Sequence, residues 1–195
     1  MADLKTDHKR TAALAAALAT FITYGYKRTT MDDIARAAGL SRPALYLLYR
    51  NKADIFGACV EMKMEEMREK VAGCFDGRRS VSEEVEAALI EGILRPHQEI
   101  AETPHGAEIF DVKHEFAGDL FLAWMRTVET EIARGLLSAS KAGRIGTAAG
   151  DISLEEIASI LLDAAEGMKM RTRDIEALSR KLPVLVRLLV TPLET

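Results

Sequence analysis

Two short stretches, Met31 to Ala38 and Arg42 to Tyr49, carry the pattern of paired helices that meet at a sharp turn. Such a unit needs a small residue where the helices touch, a glycine in the turn and apolar residues facing inward. Ala35, Gly39 and the set Ile34, Ala38, Leu40, Leu45 and Leu48 meet those needs. The chemistry open to the unit is recognition: a second helix laid in the DNA major groove presents its N-terminal residues to base edges. Groups for bond-making are not arranged for it. Gly143-Arg144-Ile145-Gly146 lacks the Gly-Lys-Ser/Thr ending of a phosphate loop and follows a helical run, and no Gly-x-Ser-x-Gly elbow occurs. Asp111, His114 and Glu115 stand at i, i+3 and i+4 and could share a metal, but without a second cluster they read as a solvated face. The chain is therefore expected not to be an enzyme, with no catalytic residues, no cofactor and no metal site.

The elements that position the paired helices follow from composition and punctuation. In 195 residues, 48% are hydrophobic and only 6% aromatic. Ala, Leu, Glu, Met and Arg outweigh Val, Thr and Tyr, which predicts an all-α fold of about nine helices. A first helix from about Thr6 to Tyr24 ends at Gly25; Thr30 caps the next, with Asp33 in the capping-box position, and Gly39 stops it. Ser41 caps the following helix, where Pro43 is tolerable because it falls in the first turn. A long helix runs from Lys52 to about Phe75. Ser80 with Glu83 opens another, which Pro96 kinks or ends. A long segment from Phe116 to Leu137 precedes a glycine-rich loop at Gly143, Gly146 and Gly150, then helices Leu154 to Arg171 and Asp174 to Leu193, the last interrupted by Pro183.

Charge separates along this order. Residues 1–58 hold nine Lys/Arg against five Asp, a net of +4, while the whole chain carries −4. A basic head on an acidic body is the arrangement expected if only the head meets phosphate. The split predicts two domains, 1–52 and 53–195. Lys9, Arg10 and the apolar run from Ala12 to Phe21 imitate a signal peptide, but Asp3, Asp7 and the missing cleavage site argue against one. With no run of about 18 apolar residues, no membrane contact and a cytoplasmic location are expected. Cys59 and Cys74, on one helix and roughly 22 Å apart at about 1.5 Å per residue, cannot pair and read as core thiols.

From about Ala13 to Ala58, Gly25-Tyr26, Thr29-Thr30, Ile34-Ala35, Ala38-Gly39, Leu45-Tyr46, Tyr49 and Lys52 occur in an order and spacing that resembles the N-terminal signature of the TetR family of transcriptional regulators. Pro43 stands where many members carry glycine and others proline, which bears on base preference rather than on fold. The resemblance implies a three-helix helix-turn-helix domain followed by a larger helical ligand-binding and dimerisation domain. It implies that Thr30 binds phosphate through its backbone N–H and hydroxyl, that Tyr46, Tyr49 and Lys52 make phosphate contacts that fix register, and that Arg28 adds another. Ser41, Arg42 and Ala44 then point at base edges, Arg42 as a bidentate partner for guanine. The implied function is a repressor that leaves a palindromic double-stranded DNA operator when an unidentified small-molecule effector binds. The other reading is a helical dimeric sensor without specific DNA binding.

The resemblance also implies a pocket among the middle helices, for which Glu91, His97, Phe110, His114, Phe121, Trp124, Met125 and Met168 supply an apolar lining with a few polar groups. The last two helices, about 154–171 and 174–193, are apolar over more than one face and predict a homodimer through a four-helix bundle.

Overall fold

The computed structural model describes residues 2–106, 108, 118–146, 148–149, 152–172 and 174–195. The fold is all-α, and the chain divides into two compact units, Met1–Met64 with Ile100–Leu120, and Glu65–Glu99 with Phe121–Thr195, here the head and the body.

The head is built from α1 (Ala2–Tyr24), α2 (Met31–Ala37), α3 (Arg42–Leu48) and the first half of α4 (Lys52–Gly73). Ala13, Ala17 and Phe21 of α1, Ile34 and Ala35 of α2, Leu45 of α3, and Ile55, Phe56 and Cys59 of α4 form one buried cluster. The rings of Phe21, Tyr26 and Phe56 meet at centroid separations of 5.0–5.5 Å, two of the three pairs edge-on, the arrangement their quadrupoles favour. The unit extends past the boundary expected at residue 52 because Ile55, Phe56 and Cys59 turn into this core. Cys59 and Cys74 are both free and buried.

In the body, α5 (Val81–Leu89) runs through a π-turn, Ile90–Leu94, into α6 (Arg95–Ala101), which continues beyond the body's last residue before the gap, Glu99. Then come α7 (Gly118–Lys141), a two-residue antiparallel ladder of β1 (Ala148–Ala149) and β2 (Ile152–Ser153), α8 (Leu154–Arg171), α9 (Ile175–Leu189) and a short 3-10 turn, Thr191–Leu193. Val85, Ala88, Leu89, Val128, Ile132, Leu136, Leu161, Leu178 and Leu182 pack the core. Each such fully buried Val, Leu or Ile side chain contributes about 1.5–3 kcal/mol of transfer free energy.

Of the two expectations about proline, a kink or an end at Pro96 is narrowed and an interruption at Pro183 is corrected. Pro96 does not end its helix. It cannot supply the N–H that would bond the carbonyl of Gly92, four residues back, and the indole Nε1–H of Trp124 donates to that oxygen instead, at 3.0 Å. The π-turn is where the register adjusts, with the Arg95 N–H reaching Ile90 O. Pro183 likewise lies inside an unbroken α9, held by Leu178, Leu182, Leu185 and Val186, which are buried on both sides of it. The glycine-rich loop expected around 143–150 carries the β1 strand, and Gly143 closes α7 at φ +72°.

Candidate nucleic-acid interface

The two short helices of the head are shaped by local chemistry. Thr30 caps α2 in a reciprocal box: its Oγ1 accepts the Asp33 N–H at 3.2 Å, and the Asp33 carboxylate accepts the Thr30 backbone N–H at 3.0 Å and hydroxyl at 2.6 Å. The hydroxyl bond first, then the backbone N–H and the Arg36 charge, holds the Asp33 carboxyl below its ordinary range. Gly39, at φ +64°, ends α2; its N–H donates to Arg36 O and that of Leu40 to Ala35 O, at 3.2 and 2.9 Å, a Schellman closure that a side chain at Gly39 would strain. Ser41 Oγ then accepts the Ala44 N–H at 3.3 Å and starts α3. Leu45 pins α3 to the core, which turns Arg42, Pro43, Tyr46 and Leu47 to solvent on one continuous face.

Arg42, the arginine expected at base edges, is 62% exposed yet not loose. Its Nε lies 3.1 Å from Asp32 Oδ1 and its Nη1 donates to Asp32 Oδ2 at 3.3 Å, while the guanidinium carbon sits 5.6 Å over the Tyr46 ring. Its pKa is raised further, by the Tyr46 hydroxyl first and the Asp32 charge second, so it is always a cation. Tyr46 is exposed, Ala44 half-buried and Ser41 exposed beside it. Arg28 is exposed in an open cleft of about 690 Å³ that Thr20, Thr23, Asp33, Arg36 and His105 also line.

Three expected phosphate contacts are otherwise engaged. Both donors of Thr30 are spent on Asp33, so a phosphate there has to take the carboxylate's place. Lys52 donates from Nζ to Tyr26 O at 2.7 Å and Lys27 O at 3.3 Å, and lies 4.4 Å from the Tyr26 ring centroid. It clips the turn that begins at Gly25, its pKa lowered by burial and supported by the Glu108 charge. The other side of that turn is held by Glu108, which accepts the Lys27 backbone N–H and fills the space where a side chain on Gly25 would go. Tyr49 is corrected: it is 3% exposed, a member of the head core, and its hydroxyl is enclosed. A phosphate cannot reach it in this conformation.

Residues 13–59 match the family model described as bacterial regulatory proteins, tetR family. That segment, about a quarter of the chain, is similar to the N-terminal domain of that family. It contains α2 and α3, the helix-turn-helix of the head. YhgD of Bacillus subtilis, described as an HTH-type transcriptional regulator, is 32% identical over 76 residues, a match that spans 39% of this chain and 40% of that relative's length. Among solved structures, a TetR-family transcriptional regulator from Pectobacterium atrosepticum superposes with a TM-score of 0.67 at 22% identity, covering 98% of this chain and 97% of that one. SmeT, the repressor of the Stenotrophomonas maltophilia multidrug efflux pump SmeDEF, does so at 0.62 and 20% identity, over 95% and 90%, and a SmeT complex with triclosan has the same TM-score. At these identities the two structures show the TetR fold alone.

Of the body residues, Trp124, Met125 and Met168 are half-buried against its core, and Trp124 is tied to the π-turn that carries Glu91. Glu91 pairs with Arg95 at 2.8 Å. His97 is half-buried on α6. Phe121 falls in α7, while Phe110, His114 and the whole Asp111, His114 and Glu115 triplet lie outside the described residues. Among the described residues no group of three or more His, Cys, Asp or Glu is placed to hold a metal, and no helix is long and apolar enough to cross a membrane. Sequence reading missed Asp32, whose partner lies ten residues away, and Leu47, 87% exposed on the α3 face. The second was legible: positions 43 and 47, four apart, share a helical face opposite Leu45.

Proposed function

We propose that this regulator binds a palindromic or near-palindromic DNA operator as a homodimer, represses transcription, and releases the operator when a small molecule occupies its body. The observation that carries the reading is the exposed face of α3, Arg42, Pro43, Tyr46 and Leu47, set on a three-helix core by Leu45 and closed by the Gly39 turn. Arg42 and Ser41 read base edges, with Ala44 close enough for an apolar contact; Arg28, Thr30, Tyr46 and Lys52 fix register on phosphates. Leu47 adds an apolar group suited to a thymine methyl. Tyr49 takes no part.

The dimer is supported by what α8 and α9 leave uncovered. Ile160 and Met170 on α8, and Val184 and Leu188 on α9, are exposed. Asp163 stands among the first pair, and Arg180 and Arg187 among the second, all exposed. An α8 packed on the α9 of a second copy matches both the apolar and the charged residues, twice over by two-fold symmetry. Two recognition helices then meet successive major grooves about 34–36 Å apart. The effector reading draws on the fold neighbour SmeT, a repressor that has been solved with triclosan, and on the half-buried Trp124, Met125 and Met168 against the body's core. The effector must bind the released conformation more tightly than the DNA-bound one.

Selection of random-sequence duplexes by the purified protein tests the reading. One inverted-repeat sequence recovered by the wild type, with relaxed preference in Arg42→Ala, is the expected result. No enrichment above background would replace it with a dimeric sensor that does not bind DNA specifically.

A further inference from the structure

Arg42 reaches solvent from the first position of α3, where a lone arginine would sample many rotamers and lose their entropy on binding. Here it is restrained from two elements. The Asp32 carboxylate, on the first turn of α2, takes its Nε and Nη1 side by side at 3.1 and 3.3 Å, and the Tyr46 ring, one turn along α3, lies under the guanidinium. The carboxylate accepts a hydrogen bond from Nη1 while Nε stays within ion-pair distance of it, and Tyr46 meets the guanidinium from the other element, which leaves donors of the five for a further partner. Asp32 itself is 49% exposed. A carboxylate at that place stands among the groups meant for phosphate and costs general affinity for DNA, so its presence needs another return.

Resting on the DNA-binding reading above, we propose that Asp32 is a positioning residue for base recognition: with Tyr46 it holds the exposed guanidinium of Arg42 in one orientation, its remaining donors available to the O6 and N7 of one guanine. Asp32 thereby trades affinity for all DNA against discrimination at a single base pair, a division between attraction and specificity. A salt bridge this exposed adds little to fold stability. Its effect lies in which orientations Arg42 occupies before the groove is reached.

The test uses the operator recovered by the wild-type protein and fluorescence anisotropy on that duplex, on a set with each base pair changed in turn, and on a random duplex. The pair whose preference collapses in Arg42→Ala is taken as the Arg42 pair. A bidentate arginine–guanine contact corresponds to discrimination of about five- to 150-fold. Asp32→Ala is expected to lose at least about fivefold of it at that pair alone and to bind the random duplex more tightly. Asp32→Asn, which keeps one acceptor, falls between, and Asp32→Ala added to Arg42→Ala changes nothing further at that pair. Full discrimination retained by both Asp32 variants, or equal loss at every position, would overturn the proposal. Selection indifferent to Arg42→Ala would overturn it and leave the DNA reading standing; a wild type that selects no sequence would overturn both.

Discussion

Replacing Tyr49 with phenylalanine separates its two possible roles by sign. The ring is 3% exposed in the head core and the hydroxyl is enclosed, with no hydrogen-bond partner among the described residues. Burial raises the phenol pKa, and Arg10, whose guanidinium lies 5.5 Å over the ring, pulls it the other way, through its side-chain interaction with the hydroxyl first and its charge second. An enclosed, unpartnered hydroxyl costs about 1–3 kcal/mol. Removing it also removes an atom's worth of packing, so Tyr49→Phe is expected to stabilise the protein by about 1 kcal/mol, which raises Tm by about 2–4 °C in a chain of this size. DNA affinity stays within about twofold and its salt dependence is unchanged. Thermal melts by circular dichroism and anisotropy titrations at several salt concentrations read both. A phosphate contact predicts the reverse: binding weaker by more than about twofold at an unchanged salt slope, because a neutral phenol releases no counterion. That result, or a lower Tm, would refute the assignment of Tyr49 to the core.

Three further outcomes follow from the same geometry. Leu188→Glu, which puts a charge on an exposed leucine of α9, converts the proposed dimer to monomer in sedimentation while leaving the helical circular dichroism intact. The capping-box carboxyls Asp33, Glu83 and Glu156 are all held below their ordinary range, Asp33 first by the Thr30 hydroxyl and the two glutamates first by the backbone N–H of Ser80 and Ser153. Because the folded pKa values lie below the unfolded ones, that stability is present at neutral pH and lost as pH falls through the folded values. The urea midpoint of Glu83→Gln/Glu156→Gln should therefore fall less between about pH 5 and pH 3 than that of the wild type. Burial pushes the Cys59 thiol up to about 12 and raises Cys74 as well. Both should react with a thiol reagent at neutral pH only after denaturation; rapid labelling of the native protein would contradict their burial.

What the sequence made legible was chemistry confined to a few neighbouring residues. The Thr30–Asp33 box, the Gly39 stop and the Ser41 cap each depend on atoms within five positions, and each is formed. The apolar stripe of α1 and the inward Leu45 followed from helical spacing. The features that escaped depend on distant partners. Pro96 reads as a break until Trp124, 32 residues from Gly92, supplies the donor that proline lacks. Tyr49 reads as a surface phenol until the head closes over it, and Arg42 as a free cation until Asp32 arrives from α2. The signature carried Lys52 as a phosphate contact, yet its carbonyl partners at Tyr26 and Lys27 exist only once α4 lies against the turn after α1.

The central claim, that the head binds operator DNA through its basic side chains, is tested most directly by the salt dependence of binding to the selected duplex. Arg28 of two protomers, with Lys52 through the one ammonium N–H that its two carbonyl bonds leave, neutralises about four phosphates, which gives a slope near −3.6 in log K against log salt and about a hundredfold loss of affinity between 50 and 200 mM. A steep fall of that order is the result the account predicts. Affinity unchanged across that range would contradict it.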